Sequence, residues 1–257
     1  MIADLRLIIE CTEEFNVNMG SLFQGVLMEQ IDGYYASTLH NQGLKPYSQS
    51  LLDIHHNKAV WTIRTLSDEA YENIIVPLCK EEFSSFYIDH NQNCVKIIQK
   101  KLKKESEKNF IKEFYELNSQ RFFTIEFLTP TAFKKDGRYF FWPDIGNIFL
   151  SIMNKYDANS AGELMFSKET LEQIYNTTEI ISYKIQSCKY NLEGVKIPSF
   201  KGRITIKVSG TQTMINFVRL LLKYGNYSGI GIKTAMGMGC VHAYEGRGGN
   251  LIEEKRN

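Results

Sequence analysis

The sequence predicts an α+β protein made of two tandem ferredoxin-like units, each with the element order βαββαβ. Three observations support this prediction. The apolar residues of the first half follow the order strand, helix, strand, strand, helix, strand, the second half repeats that order, and 257 residues suffice for two compact domains. We predict an N-terminal domain at 1–118, a C-terminal domain at 119–247 and a C-terminal tail at 248–257.

The elements of the first unit follow from periodicity and from breaker residues. Alternating apolar residues predict strands, whereas apolar residues three and four apart predict helices, and Gly33, Gly43 and Pro46 interrupt the helical pattern. Asp68 is a suitable N-cap for the last helix. The predicted elements are a strand at 5–11, helices at 20–31 and 34–40, a hairpin at 47–54 and 59–65, a helix over 71–79 and strands at 84–88 and 94–98.

The second unit shows the same order after a charged stretch at 96–112, which we interpret as a solvated hairpin or helix face. Its strongest strand signal is the apolar run at 121–128, and its helices have one apolar side. The predicted elements are a strand at 121–128, a helix at 144–156, a strand pair at 180–190 and 202–208, a helix at 211–224 and a final strand at 239–244.

Composition excludes several classes of protein. Apolar residues make up 43% and charged residues 23% of the chain, and no apolar run approaches the roughly 18 residues of a membrane-spanning helix. The N-terminal residues do not resemble a secretion signal, so we expect a cytoplasmic protein with no membrane partner. The five cysteines form no CxxC pair and the five histidines form no HxxxH or HExxH spacing. We therefore expect no bound metal and no cofactor.

The positive charge is concentrated near the C-terminus. Residues 181–247 contain ten lysines and arginines and two glutamates, which gives this segment a net charge of +8, although the whole chain is only +1. An uneven distribution of this kind is typical of a face that binds a polyanion, and nucleic acid is the first candidate. The alternative is a solvated basic surface without a partner.

The most specific motif is the glycine-rich segment at 229–239, which reads GIGIKTAMGMG. Glycines allow positive φ and a close approach to the backbone, so their amide groups can bind phosphate oxygens, and Lys233 adds a cation between the two glycine pairs. The motif matches neither GxGxxG after a strand nor GxxxxGK[ST]. We interpret it as a phosphate-binding loop, with a glycine turn that permits close packing as the alternative.

This loop, placed before the last strand of a second ferredoxin-like unit, resembles the signature of the RAMP superfamily. Within that superfamily the chain is most similar to the CRISPR repeat-processing endoribonucleases. Other segments support the resemblance, which spans nearly the whole chain: Gln24-Gly25-Val26-Leu27, Leu39-His40, Lys45-Pro46-Tyr47-Ser48, Leu128-Thr129-Pro130-Thr131 and Tyr227-Ser228-Gly229-Ile230-Gly231. The resemblance implies that the C-terminal unit binds RNA through Gly229, Gly231, Lys233, Thr234, Gly237 and Gly239.

The resemblance also implies metal-independent cleavage of CRISPR repeat RNA. The ribose 2′-hydroxyl attacks the adjacent phosphate and leaves a 2′,3′-cyclic phosphate and a 5′-hydroxyl. His40 matches the histidine of the family and serves proton transfer, although a histidine in the last turn of a helix can also be a C-terminal cap. Lys45 matches the lysine that stabilises the transition state. The tyrosine of relatives aligns with Met28, so Tyr34 or Tyr35 would have to replace it.

Two other functions remain open from the sequence. A non-catalytic RAMP-type subunit that holds processed CRISPR RNA in an effector complex would keep the loop without cutting RNA. A ferredoxin-like enzyme or sensor for a small phosphorylated ligand would also use the glycine loop. The expected partner is CRISPR repeat RNA or its processed product, and association with effector-complex subunits or with a second copy of the chain is left open.

Overall fold

The computed structural model describes residues 1–88, 93–116, 118–160 and 164–247, so the predicted tail at 248–257 lies outside the described residues. The protein is α+β, with two antiparallel sheets that each carry helices, and it has the predicted tandem ferredoxin-like architecture. The predicted division near residue 118 stays a prediction. In the described ranges no helix has the length and apolar character needed to cross a bilayer.

The first sheet has five strands in the order β2-β3-β1-β5-β4, with every neighbouring pair antiparallel. Alternate residues of β1 point toward the helices, and Leu5, Leu7 and Trp61 are fully buried in the core between them. The elements in chain order are β1 (Ile2–Glu10), α1 (Gly20–Gln30), α2 (Gly33–Asn41), β2 (Tyr47–His55), β3 (Lys58–Thr65), α3 (Asp68–Ala70), a π-helical turn (Tyr71–Ile75), α4 (Val76–Cys79), β4 (Ser85–Ile88) and β5 (Asn93–Glu105).

The second sheet has four strands in the order β11-β6-β10-β9, all antiparallel. Helices α6 and α8 bury their apolar sides against it, with Ile152 and Leu221 fully enclosed. Helix α5, the hairpin β7–β8 and helix α7 are additions to the βαββαβ order. The elements are α5 (Glu107–Glu116), β6 (Phe122–Thr131), β7 (Phe133–Lys135), β8 (Arg138–Phe140), α6 (Ile145–Asn159), α7 (Lys168–Thr177), β9 (Thr178–Leu192), β10 (Val195–Val208), α8 (Gln212–Ser228) and β11 (Val241–Glu245).

Two local predictions are wrong. The lysine-rich run at 100–104 belongs to strand β5, because its backbone pairs with β1, whereas we predicted a solvated hairpin or a helix face. The N-cap of α3 is Ser67, whose hydroxyl accepts a hydrogen bond of 3.1 Å from the amide of Ala70, and Asp68 is the first helical residue. Backbone pairing with β1 decides the first case, and the hydroxyl of the residue before Asp68 decides the second.

Helix α8 connects the two units. One side lies in the core of the second sheet, and its C-terminal end contacts β2 and β3 of the first sheet. The hydroxyl of Ser48 on β2 donates a hydrogen bond of 2.5 Å to the carbonyl of Tyr227 near the end of α8. The glycine-rich loop at 229–239 begins directly after this helix, so it lies at the junction of the two units.

Candidate functional site

His40 lies in the last turn of α2, at the surface of the first unit. The helix begins after Asp32, whose carboxylate accepts hydrogen bonds from the amides of Tyr34 and Tyr35 at 2.9 and 3.1 Å. The imidazole of His40 is exposed, and among the described residues it has no side-chain hydrogen bond or ion pair. The imidazole is therefore accessible to a ligand.

Lys45 holds the C-terminal end of the same helix. Its ammonium group donates hydrogen bonds to the backbone carbonyls of Leu39, His40 and Gln42, the last two at 3.4 and 2.5 Å. These are carbonyls that a helix end leaves without partners, so Lys45 fixes the turn that carries the imidazole. The two residues assigned to catalysis are therefore in direct contact through the main chain.

Two cations come from different units at the junction: Lys45 from the first unit and Lys233 from the glycine loop of the second. Burial, and then the like charge of the nearby Lys233, lowers the pKa of Lys45. Neither lysine forms an ion pair with a carboxylate in the part of the chain that the structure describes. Two uncompensated cations at a junction attract an anion, and a phosphate group fits this requirement.

The glycines of the loop are required by its packing. Gly229, Gly231, Gly237 and Gly239 have φ values of 66°, 87°, 93° and 67°. A Cβ atom on Gly231 would lie 2.3 Å from the carbonyl oxygen of Ala132, and one on Gly239 would lie 2.1 Å from that of Ile230. Only glycine combines this backbone conformation with these close contacts.

The amides of three loop glycines bind acceptors within the protein, whereas we predicted that they bind phosphate oxygens. Those of Gly229, Gly231 and Gly239 donate to protein acceptors, namely the carbonyl of Gly225, the hydroxyl of Ser151 and the carbonyl of Pro130, at 2.9, 2.8 and 3.0 Å. They shape the loop and are not available to a phosphate, because each amide has one proton. Lys233 is exposed at the tip, and no acceptor within the described ranges takes the amides of Lys233, Thr234 and Ala235. Thr234 and Ala235 are 8% and 6% exposed, so Lys233 is the one of these three residues that can contact a ligand.

Gln49 ties the loop to the first unit. It is 2% exposed, and its amide nitrogen donates hydrogen bonds to the carbonyls of Gly20 and Ala235 at 2.7 and 3.1 Å. Its amide oxygen accepts a hydrogen bond of 2.8 Å from the indole of Trp61. One buried side chain thus joins α1, β3 and the glycine loop. A glutamine inside an apolar strand is the sequence signal that could have identified Gln49.

We expect Gln49→Ala to destabilise the junction. The substitution leaves the Trp61 indole and two carbonyls without partners, which should lower the free energy of unfolding by about 3 kcal/mol. Urea denaturation measures this loss. Gln99→Ala is the matched control, because Gln99 is an exposed glutamine on β5 of the same sheet, and it should change the stability by less than about 0.5 kcal/mol. Equal stabilities of the two variants would contradict the assignment.

Helix α6 supports the loop from the other side. Ser151 accepts the amide of Gly231, and the ammonium group of Lys155 donates to the carbonyls of Ser228 and Gly229 at 3.4 and 2.9 Å. Lys155 is 5% exposed, and its burial lowers its pKa from 10.5 to about 7. Its position on the apolar side of the predicted helix, three residues after Ile152, is the sequence signal that could have identified it.

The low pKa of Lys155 makes stability depend on pH. Between pH 7 and 10.5 the unfolded chain holds a proton on this lysine that the folded chain has lost, so the free energy of unfolding contributed by Lys155 rises by about 1.4 kcal/mol per pH unit. We therefore expect the free energy of unfolding of the wild type, minus that of Lys155→Met, to increase from pH 7.5 to pH 9.5. Urea denaturation series at several pH values measure this difference. A difference that stays constant over this range would show that Lys155 titrates normally.

Neither tyrosine named from the sequence lies beside His40. Tyr35 is buried, and burial, followed by the charges of Glu69 and Tyr47, raises its pKa to about 12. Tyr34 is 84% exposed, but it precedes His40 by six residues, and helix neighbours on one face are three or four apart. Met28 packs against the first core. Within the described residues, no group of three or more His, Cys, Asp or Glu side chains is arranged to hold a metal.

Comparison with known proteins gives consistent matches. The family model of the CRISPR-associated endoribonuclease Cas6 matches residues 125–241. The CRISPR-associated endoribonuclease Cas6 of Mycobacterium tuberculosis is 33% identical over 223 residues, which cover 87% of this chain and 71% of that protein. The protein of the same description from Streptococcus thermophilus is 29% identical over 87% of this chain and 90% of its own length.

The fold matches solved structures of the same description. The Cas6 (TTHB231) product complex has a TM-score of 0.77 at 18% identity, and 95% of this chain aligns with all of that chain. The Cas6 (TTHA0078) product complex has a TM-score of 0.77 at 20% identity, with 95% and 99% coverage. These structural matches establish the fold, and the sequence identity to the mycobacterial protein over most of both chains establishes the family. This chain therefore belongs to the family of CRISPR-associated endoribonucleases named Cas6.

Proposed function

We propose that this protein processes CRISPR repeat RNA as an endoribonuclease that needs no metal ion. The observation that carries the proposal is the turn at the end of α2, where the ammonium group of Lys45 donates to the backbone carbonyl of His40 and the charge of Lys233 in the glycine loop lowers the pKa of Lys45. An exposed imidazole and nearby cations are the groups that cleavage of a phosphodiester requires. We place this reaction in the cytoplasm.

The proposed reaction is intramolecular in the RNA. The 2′-oxygen forms a bond to phosphorus while the bond from phosphorus to the 5′-oxygen breaks, which leaves a 2′,3′-cyclic phosphate and a 5′-hydroxyl. A proton must leave the 2′-hydroxyl and another must reach the 5′-oxygen, and His40 is the proposed proton-transfer group. Lys45 stabilises the negative charge that develops on the phosphate oxygens and also positions the His40 turn through its contacts with the backbone.

RNA binding is proposed for the second unit. Its segment at 181–247 has a net charge of +8, and the loop exposes Lys233, while the buried Thr234 and the glycines Gly229, Gly231, Gly237 and Gly239 give the loop its shape. Solved Cas6 structures of this fold are described as product and substrate mimic complexes, which supports an RNA ligand here. Side chains read unpaired bases more readily than the deep major groove of an A-form duplex.

A repeat RNA with a single 2′-deoxy nucleotide tests the reaction. We expect the unmodified RNA to be cut in EDTA and the RNA lacking the 2′-hydroxyl at the cleavage site to remain intact, because the nucleophile has been removed. End analysis should find a 2′,3′-cyclic phosphate on the product. Cleavage of the deoxy substrate, or a requirement for magnesium, would overturn the mechanism.

A second candidate function is a non-catalytic subunit that holds processed CRISPR RNA in an effector complex. One observation favours this second function. Tyr34 and Tyr35 do not share the helix face of His40, and Met28 has no titratable group that could transfer a proton. Tight binding of repeat RNA by the wild type without any cleavage would support this function and exclude the first.

A further inference from the structure

An aromatic patch lies on the surface of the second unit. It consists of Phe140, Phe141, Trp142 and Tyr183, which are 44%, 46%, 55% and 62% exposed. The rings of Trp142 and Tyr183 meet edge to face, with centroids 5.8 Å apart and an interplanar angle of 72°. Large aromatic side chains that contact each other and remain exposed to water typically mark an interaction surface.

Cations flank the aromatic patch. The hairpin β7–β8 directly precedes it and exposes Lys134, Lys135 and Arg138, with Lys134 over the ring of Tyr139. Asp136 at the turn is the one carboxylate of the hairpin, so residues 133–140 have a net charge of +2. The carboxylate of Asp144, just after the patch, accepts a hydrogen bond of 2.8 Å from the amide of Asn147 and serves as the N-cap of α6. The surroundings of the patch are thus positively charged.

The hairpin also packs against the glycine loop. Tyr139 on β8 belongs to the same apolar cluster as Ile232 and Met236 of the loop. The amide of Ile232 donates a hydrogen bond of 2.9 Å to the carbonyl of Ala132, immediately before β7. A strand of nucleic acid held at the loop can therefore continue onto the hairpin and the aromatic patch.

We propose that the aromatic patch binds unpaired bases of the repeat RNA by stacking, while Lys134, Lys135 and Arg138 contact the phosphates of the same segment. The identity of the ligand rests on the proposed function. Single-stranded nucleic acid needs both π surfaces and cations, and the hairpin and the patch supply them side by side. An apolar protein partner would leave the three cations of the hairpin without counter-charges, so RNA is the better match.

Tryptophan fluorescence tests the proposal directly. The chain has two tryptophans, and Trp61 is fully buried and hydrogen-bonded to Gln49, so Trp142 is the tryptophan that a ligand can reach. The probe is repeat RNA with a 2′-deoxy nucleotide at the cleavage site, which should bind without being cut. We expect saturable quenching of the wild-type fluorescence and no quenching in Trp142→Leu.

Affinity measurements give a second readout. We expect Trp142→Ala to weaken RNA binding about tenfold, which corresponds to the loss of one stacked base. Phe141→Ala serves as an independent variant of the patch. Tyr87→Ala is the matched control, because Tyr87 is 51% exposed on edge strand β4 of the first sheet, and it should bind RNA as the wild type does. Replacing Lys134 and Arg138 by alanine should reduce the slope of log K against log salt by about 2.

The outcomes separate this inference from the proposed function. RNA binding that leaves Trp142 fluorescence and the affinity of Trp142→Ala unchanged would overturn the inference, and the patch would then serve a protein partner. If the wild type binds RNA with quenching but never cuts it, stacking at the patch stands and the endoribonuclease assignment fails. If it cuts RNA at full rate without quenching, the endoribonuclease assignment stands and the inference fails.

Discussion

Replacing His40 by alanine is expected to lower the single-turnover rate of repeat RNA cleavage by about 10²- to 10⁴-fold, the usual contribution of a positioned proton-transfer group. The fold should remain intact, because the imidazole is exposed and has no side-chain hydrogen bond in the described ranges. RNA affinity should therefore remain at the wild-type level. The measurement is cleavage of labelled RNA at saturating protein, in parallel with a binding titration. The substitution should not disturb α2, since alanine is a strong helix former.

His55→Ala is the matched control for this experiment. His55 is also exposed and lies at the end of β2, and we assign it no role in the reaction. It should cleave RNA at the wild-type rate. A His40→Ala protein that cuts as fast as the wild type would remove His40 from the mechanism, whatever the stability of the variant.

Gly239→Ala is expected to have the largest effect on the loop. Its Cβ atom would lie 2.1 Å from the carbonyl of Ile230, at a φ of 67° that disfavours side chains. The loop closes through a hydrogen bond of 2.8 Å from the amide of Ile230 to the carbonyl of Gly239, and this contact would have to open. We expect the free energy of unfolding to fall by about 3 kcal/mol. RNA affinity should fall as well, because Lys233 loses its position.

Gly25→Ala separates the loop from glycine replacement in general. Gly25 lies inside α1 and has open space where a Cβ would point, so alanine should stabilise the protein by about 0.5 to 1 kcal/mol. Urea denaturation and RNA titration of both variants provide the comparison. A Gly239→Ala protein that unfolds and binds RNA like the wild type would show that the loop tolerates a side chain at this position.

Most of the fold was predictable because its signals are local. Alternating apolar residues at 121–128 identified the strand that became β6, and apolar residues three and four apart identified α1 and α8. The hairpin β7–β8 was missed because its strands are only three residues long. Strand β5 was predicted too short, since its lysine-rich half forms a strand only through pairing with β1.

The candidate site was partly predictable. His40, Lys45 and the glycine loop were identified from their residue types and from a family resemblance. Which groups face a ligand was not, because the amides of Gly229, Gly231 and Gly239 bond to acceptors that no local pattern reveals. The same reason explains why Gln49 and Lys155 were missed: their partners are backbone carbonyls of the distant loop.

The sequence by itself determined the element types, the position of the glycine loop and the concentration of positive charge, since each depends on residues close together in the chain. The tertiary structure alone decided that Lys45 lies near Lys233 and that Gln49 bonds to Ala235, 186 residues away. Such contacts arise from the way α8 packs between the two sheets. Packing on that scale depends on how well whole surfaces fit together, and residue order within one segment does not encode it.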